Sequence, residues 1–220
     1  MYHKDDKTLN LWKQHLDRVP DEVWERTETV SLILADNNLN CMPGRVGELT
    51  SLRTLDLGHN KLTALPEELG NLAALRDFLY LHDNRLTHLP DSLRRLKSLR
   101  YLNISENAFQ DFPDAVCGME SLIELRATDN HLETLPSCLQ CLVQLRELHL
   151  RNNKLSTFPG SLCSLPELRL IDIRGNPLTS LPREIGDLPK LEKLDLRWIP
   201  DLQASAPIEN LESRGCVVYR

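Results

Sequence analysis

The stretch that decides the fold is Leu145–Leu165, LRELHLRNNKLSTFPGSLCSL. Its L-H-L segment alternates apolar and polar residues, which is the period-two pattern of a half-buried strand. Asn153 follows among leucines, and Pro159 fixes φ and ends the extended run. The stretch Leu52–Leu72, LRTLDLGHNKLTALPEELGNL, carries its leucines, asparagine and proline at the same places. The chain is therefore built from a repeated unit.

The asparagine marks the period of this repeat. It recurs with spacings of 23, 24, 23, 23, 23 and 23 residues, at Asn37, Asn60, Asn84, Asn107, Asn130, Asn153 and Asn176. No single unit can bury its leucines, but stacked units bury them in one continuous core. An amide among buried leucines needs hydrogen-bond partners. We expect each asparagine to bond the backbone of its own bend and of the adjacent repeat.

The consensus L-x-x-L-x-L-x-x-N-x-L-x-x-[LF]-P-x-x-L-x-x-L, from about Leu9 to Leu196, resembles the leucine-rich-repeat family. The 23-residue period with L-P in its second half is most similar to the intracellular type, the Ras-scaffold group and its plant and bacterial relatives. This resemblance implies an α/β solenoid: a right-handed horseshoe with a concave parallel β-sheet and short helical or irregular convex segments.

Both ends of the array depart from the consensus, as terminal repeats do. Gln14 replaces the first asparagine, and Ile199 takes the place of the last one before Pro200. The tail APIENLESRGCVVYR predicts a short helix that stops at Gly215, followed by a strand Cys216–Tyr219 over the last sheet edge. We expect a single leucine-rich-repeat domain over 1–220, with an N-terminal cap at about 1–26, repeats at about 27–190 and a C-terminal cap at about 191–220.

One repeat is a residue longer than the others. LRDFLYLHDN, Leu75–Asn84, takes ten residues where LRTLDLGHN takes nine. With Asn84 fixed, the extra residue falls before the strand, because a slip inside the strand would turn its leucines outward. The sequence predicts a bulge or widened bend at Arg76 to Phe78.

Composition excludes several classes of function. A net charge of −6 disfavours nucleic-acid binding, which needs clustered cations. No apolar run has the length of a signal peptide or a membrane span. The six cysteines could form disulfides in a secreted protein. Without a signal peptide, we expect reduced thiols and a cytoplasmic location, with a secreted effector as the alternative.

No motif predicts catalysis or a cofactor. The sequence has no phosphate-binding glycine loop, nucleophile elbow or paired-histidine zinc motif. Cys138-x-x-Cys141 is an isolated pair that flanks the core Leu139, so we interpret it as structural. The histidines share no column in neighbouring repeats, and we expect no metal site. The chain is predicted not to be an enzyme.

Arginines form one candidate feature of the concave face. Arg151, Arg174 and Arg197 occupy the same position in three consecutive repeats, directly after the second apolar residue of the strand. We call such a row of equivalent positions across the sheet a column. Like charges directly opposite on neighbouring strands destabilise a sheet. Either Asp172 and Asp195 neutralise them, which we favour, or the row binds an anion of a partner.

Aromatic residues form a second candidate feature, on two neighbouring predicted strands near the middle of the array. Phe78, Tyr80 and Tyr101 lie on the predicted sheet face. They serve either as interface anchors or only as cross-strand pairs that stack on one another.

The sequence therefore predicts a protein-interaction module, a monomer that binds another protein on its concave face. The alternative is the substrate-recognition part of a ligase, kinase or bacterial effector system whose catalytic part lies elsewhere. A purely structural role or the binding of a small anion ranks third. The predicted partner-binding residues are Phe78, Tyr80, His82, Tyr101, Asn103, Arg126, His149, Arg151, Arg174, Arg197 and Trp198.

Overall fold

The sheet is parallel throughout, and each strand pairs with the next one along the chain. The computed structural model describes residues 7–203 and 206–220. The strands are β1 (Thr8–Asn10), β2 (Ser31–Ile33), β3 (Thr54–Asp56), β4 (Phe78–Tyr80), β5 (Tyr101–Asn103), β6 (Glu124–Arg126), β7 (Glu147–His149), β8 (Leu170–Asp172), β9 (Lys193–Asp195) and β10 (Val217–Tyr219). The central residue of strands β1 to β9 is a buried leucine or isoleucine, and its two neighbours point to the other face. This topology confirms the predicted solenoid with a concave parallel sheet.

The convex side consists of short 3₁₀ helices. They span Asp21–Val23, Gly44–Glu48, Glu67–Asn71, Asp91–Arg95, Asp114–Gly118, Ser137–Cys141, Gly160–Ser164 and Arg183–Asp187. A proline in extended conformation directly precedes each of them. Proline supplies the fixed φ that ends the extended run and starts the helical turn. The buried apolar residues of these turns, which include leucine, valine, isoleucine and alanine, complete one continuous core along the array.

The asparagine ladder ties each repeat to the one before it. Asn107 donates through its Nδ2 to the carbonyl of Leu81 in the preceding repeat, at 3.0 Å, and to those of Ile104 and Ser105 in its own bend. Its Oδ1 accepts the N–H of Leu86 at 2.9 Å. The other ladder asparagines repeat this donor pattern toward the preceding unit. The predicted role of the asparagines is confirmed.

The residue before each ladder asparagine adopts a left-handed backbone conformation. Its φ lies between +49° and +57° at Asp36, His59, Asp83, Glu106, Asp129 and Asn152, and is +68° at Gly175. Asp, Asn and His tolerate this region better than most residues, and glycine does so without strain. Trp198 takes the same conformation, with φ of +61°, at the end of the ladder. The left-handed bend after each strand explains why Asp, Asn, His or Gly occupies most of these positions.

The two ends of the described array depart from the repeat in different ways. The backbone N–H of Gln14 donates to Oδ1 of Asn37, so the first bend joins the ladder from outside. At the other end, helix α1 (Ala206–Ser213) replaces a 3₁₀ turn, and its Asn210 donates to a carbonyl of the last turn. Gly215 follows with φ of +89°, and β10 then pairs with β9. No helix among the described residues is long and apolar enough to cross a membrane.

The extra residue of the third repeat lies before its strand. The amides of Arg76 and Asp77 share the carbonyl of Arg53, at 3.4 and 2.9 Å, and the carboxylate of Asp77 pairs with the Arg53 guanidinium at 2.9 Å. Phe78 then aligns with Thr54 in register. The extra residue thus lies before the strand, where the sequence predicts it, and the strand keeps its register.

Cys117 and Cys138 form a disulfide between neighbouring 3₁₀ turns, which corrects the expectation of reduced thiols at these two positions. The fourth residue of one turn and the second residue of the next have their Cα atoms 5.6 Å apart, within the range that a disulfide spans. The pair Cys138-x-x-Cys141 is thus divided, since Cys141 is free and exposed. This pairing was not apparent from the sequence, because the two cysteines are 21 residues apart and occupy different positions of the 23-residue repeat.

We predict that Asn107→Ala lowers the free energy of unfolding by roughly 1–3 kcal/mol, because it strips buried backbone groups of their partners. Urea denaturation followed by circular dichroism measures this loss. The control is Asn71→Ala, at an exposed convex position. Equal stabilities of the two variants would contradict the role of the ladder.

The disulfide predicts the number of reactive thiols. Protein purified without reductant, denatured and alkylated, should carry label on Cys41, Cys141, Cys163 and Cys216 alone. Addition of reductant should expose Cys117 and Cys138 as well. Mass spectrometry of the labelled peptides reads both results, and label on all cysteines without reductant would contradict the bond.

Candidate functional site

The central part of the concave face carries a cluster of aromatic rings, Phe78, Tyr80 and Tyr101. Phe78 and Tyr80 stack nearly parallel, with ring centroids 5.7 Å apart. Tyr101, on the adjacent strand, lies 5.4 Å from Phe78 and 5.0 Å from Tyr80. The rings pair across the strands, yet Phe78 stays 42% exposed. Burial raises the pKa of Tyr101 to about 12. We call these three side chains the aromatic cluster.

Histidines extend the aromatic cluster along the sheet. The His82 ring meets Tyr80 edge-on at 6.0 Å and His59 at 4.7 Å. His82 occupies the space above Gly58, where a Cβ would lie 2.4 Å from the ring. Burial lowers the pKa of His82, and the neighbouring His59 lowers it further. His82 is therefore a neutral part of this surface.

Carboxylates flank the aromatic cluster. Asp56 aligns with Tyr80 across β3 and β4, and its Oδ1 accepts the N–H of Gly58 at 3.0 Å. Glu106 is exposed at the bend after β5. Within residues 7–203 and 206–220, neither Asp56 nor Glu106 has an ion-pair partner. This end of the face presents free negative charge beside apolar rings.

The arginine row is neutralised from within the protein. Arg174 contacts Asp172 at 3.0 Å and Asp195 at 3.7 Å, and Arg197 contacts Asp195 at 2.7 Å. Arg151 instead pairs with Asp129, at 2.8 Å. Of the two interpretations of this row, internal compensation agrees with the structure, with Asp129 as an additional acid.

Trp198 belongs to this paired region rather than to the aromatic cluster. Its ring is 66% exposed and receives the guanidinium groups of Arg174 and Arg197 at 5.5 and 5.7 Å. Arg197 also lies 5.3 Å from the ring of Tyr219 on β10. These contacts hold the arginines against the protein surface.

Between the aromatic cluster and the arginine row lie three further predicted site residues. Asn103 accepts the N–H of Ser105 at 3.0 Å. The Nε of Arg126 donates to Oε1 of Glu124 at 2.5 Å. His149 is largely buried, and this burial, followed by the charge of Arg126, lowers its pKa. Sequence reasoning missed Glu124 as a neighbour of these residues.

Glu147 was missed as well. It belongs to the column of residues directly before the first strand leucine, which runs from Phe78 and Tyr101 to Glu124 and Glu147. Only the aromatic residues of that column were predicted to form part of a site. A complete comparison of every column would have found it. The structure thus gathers Phe78, Tyr80, His82 and Tyr101 at one place, and Arg174, Arg197 and Trp198 at another.

Comparisons with known proteins agree with this architecture. A family model described as a leucine-rich repeat region matches residues 66–174, and one described as a leucine rich repeat matches residues 51–72. No curated protein matches the sequence.

Several solved structures are similar to the chain over most of its length. A leucine-rich-repeat protein of Leptospira interrogans is 26% identical with a TM-score of 0.77, and the match covers 95% of this chain and 65% of that one. The leucine-rich repeat domain of the type III effector XopL is 26% identical with a TM-score of 0.74, and the match covers 90% of this chain and 78% of that one. The plant peptide hormone receptor RGFR1, in complex with RGF2, is 25% identical with a TM-score of 0.67, and the match covers 91% of this chain and 41% of that one. The chain thus spans less than two thirds of the Leptospira protein and of the plant receptor.

The network around Asp195 predicts a stability that depends on pH. Asp195 is 2% exposed. Burial would raise its pKa, but hydrogen bonds from Arg197 and the charges of Arg174 and Arg197 outweigh burial and lower it. Such a carboxylate stabilises the fold above its unfolded pKa of about 3.9, and this contribution is lost as pH falls through the folded pKa.

We therefore predict that Asp195→Asn lowers the free energy of unfolding by roughly 2 kcal/mol at neutral pH. The gap to the wild type should shrink as pH falls below about 4. Urea unfolding across this pH range measures both effects, with the exposed Asp111→Asn as control. A gap that stays constant with pH would show that Asp195 acts by shape alone.

Proposed function

The chain belongs to the leucine-rich-repeat family, and from that premise we propose that it binds a basic, partly apolar segment of another protein against the aromatic cluster. Leucine-rich repeats generally mediate interactions between proteins and act as binding modules rather than as enzymes. The observation that carries the proposal is the aromatic cluster on β4 and β5, open to solvent through Phe78.

The aromatic cluster has the properties of an interface anchor. Tyrosine and phenylalanine bury a large area while losing few rotatable bonds, and they are enriched among residues that dominate binding energy. Stacking of the rings on one another holds them in place before a partner arrives, which reduces the entropy cost of binding. The cross-strand pairs and the anchor role are therefore compatible.

Charge indicates the chemistry of the partner. Asp56 and Glu106 flank the aromatic cluster without an ion-pair partner among the described residues, whereas Arg151, Arg174 and Arg197 are all paired. An acidic partner would have to break these internal pairs, but a basic one meets free carboxylates. Complementary charge steers association and selects among partners. The proposed ligand carries Lys or Arg next to an aromatic or branched aliphatic side chain.

Similar structures support the class of partner. The plant peptide hormone receptor RGFR1 is similar to this chain and is in complex with RGF2. Several neighbouring repeats can contact an extended peptide simultaneously, because each strand presents the same column of positions. We propose that the peptide lies across β3 to β6.

A second candidate is the recognition part of a larger catalytic system. The observation that favours it is the similarity to the leucine-rich repeat domain of a type III effector, which the chain covers to 78%. A catalytic domain encoded in the same reading frame, or a catalytic chain that co-purifies, would support this candidate.

The test of the proposed site uses a random peptide library selected against the immobilised chain. We predict that the selected peptides carry basic and aromatic or aliphatic residues. Tyr80→Ala with Tyr101→Ala should weaken their Kd by about 30-fold, the effect of losing a hot spot worth about 2 kcal/mol. Isothermal titration calorimetry measures the Kd, and thermal melts verify folding.

Trp12→Ala is the control, because Trp12 is an exposed aromatic residue of the first repeat, outside the aromatic cluster. Its Kd should equal that of the wild type. Asp56→Asn should weaken binding severalfold, and added salt should narrow that difference. Peptides whose Kd ignores the tyrosine substitutions would refute this placement of the site.

A further inference from the structure

Two carboxylates face each other on neighbouring strands beside the aromatic cluster. Glu124 on β6 aligns directly with Glu147 on β7, on the concave face. Like charges in this position destabilise a sheet unless a cation lies between or beside them. Arg126 supplies one such cation through its bond to Glu124. Two carboxylates and one guanidinium leave one net negative charge, so a further positive charge is favoured.

An imidazole joins the two carboxylates. His149 lies two residues after Glu147 on β7, so both side chains leave the same face of the sheet. Its Nε2 is 3.2 Å from Oε2 of Glu147 and 3.9 Å from Oε1 of Glu124. One ligand atom from each of the three residues lies within 4.8 Å of the other two.

We propose that Glu124, Glu147 and His149 bind a divalent transition-metal ion, with Zn²⁺ as the best fit. Zinc takes imidazole nitrogen and carboxylate oxygen at about 2.0–2.2 Å, so tetrahedral ligands lie roughly 3.3–3.5 Å apart. The distances from His149 to the two carboxylates bracket this spacing. Small rotations of the glutamate side chains close the remaining gap. This proposal reverses the sequence-based expectation of no metal.

The three side chains are exposed enough for a metal ion to reach them from solvent. The side chain of His149 is 12% exposed, that of Glu124 21% and that of Glu147 43%. The imidazole is thus held by packing while a carboxylate faces solvent. Three protein ligands leave a fourth position, which water or a group of a bound partner fills. Calcium and magnesium fit less well, because they prefer oxygen ligands alone.

Arg126 competes with the metal for Glu124. Its Nε holds Oε1 of Glu124 at 2.5 Å, and its side chain is 42% exposed. A bound ion must take the other oxygen of Glu124 or displace the arginine toward solvent. Arg126 is therefore the counter-ion of Glu124 before a metal ion binds. Its removal should strengthen metal binding, an effect that a structural role of these residues would not produce.

The experiment titrates the full chain with zinc alone. Because Cys41 and Cys141 are exposed thiols, the background carries serine at both positions. We expect one zinc ion per chain by isothermal titration calorimetry. His149→Ala and Glu147→Gln should each lower the affinity by more than about 10-fold, the lower limit for perturbing the surroundings of a metal site. Arg126→Ala should raise it.

His59→Ala is the matched control, since His59 is a concave histidine that also lies beside a carboxylate, Asp83. Its affinity for zinc should equal that of the background. Glu147→Gln keeps the side-chain shape, so its result stands even where His149→Ala unfolds. Cobalt in place of zinc should give the visible absorption of a tetrahedral site without thiolate bands.

Absence of zinc binding, or an affinity lost with His59→Ala but kept with Glu147→Gln, would overturn the proposal. This outcome is independent of the proposed partner-binding function, because no peptide is present in the titration. Conversely, failure of the library to yield a peptide would leave the zinc titration unaffected.

Discussion

The structure depends on one interaction, the hydrogen bonds of the ladder asparagines. Each side-chain amide satisfies carbonyls of its own bend and of the preceding repeat, and each amide oxygen receives an N–H from that repeat. Buried backbone groups at the sharp bend would otherwise lack partners. The ladder thus sets the distance between repeats. Every other regularity, including the in-register sheet and the column order of the concave face, follows from that distance.

Because the ladder holds the strands in register, the column positions could be predicted from sequence. Counting from the asparagine places Tyr80 beside Asp56 and Arg174 beside Arg197. The extra residue in the third repeat does not disturb this count. Asp77 lies before the strand, and the strand itself keeps its register with β3. The fold and the members of the aromatic cluster can be predicted from the sequence for the same reason.

Side-chain pairings could not be predicted in the same way. The column order determines which backbone positions are neighbours. A long side chain, however, can reach residues of several neighbouring columns. Arg151 pairs with Asp129 in the preceding repeat rather than with Asp172 or Asp195, the acids favoured from sequence. Cys117 and Cys138 meet because neighbouring convex turns stack, which places these two Cα atoms 5.6 Å apart. The rotamers that decide such pairs depend on three-dimensional packing.

The two halves of the concave face differ in how completely their charged side chains are paired within the protein. In the arginine row the acids and guanidinium groups satisfy one another, so a partner gains nothing there without first breaking those contacts. Around the aromatic cluster and at Glu124 and Glu147 the negative charge exceeds its internal compensation. Binding energy comes from groups that association completes, since a group already paired must be desolvated and separated first. Recognition on this face is therefore determined by its incompletely paired residues, not by its most highly charged ones.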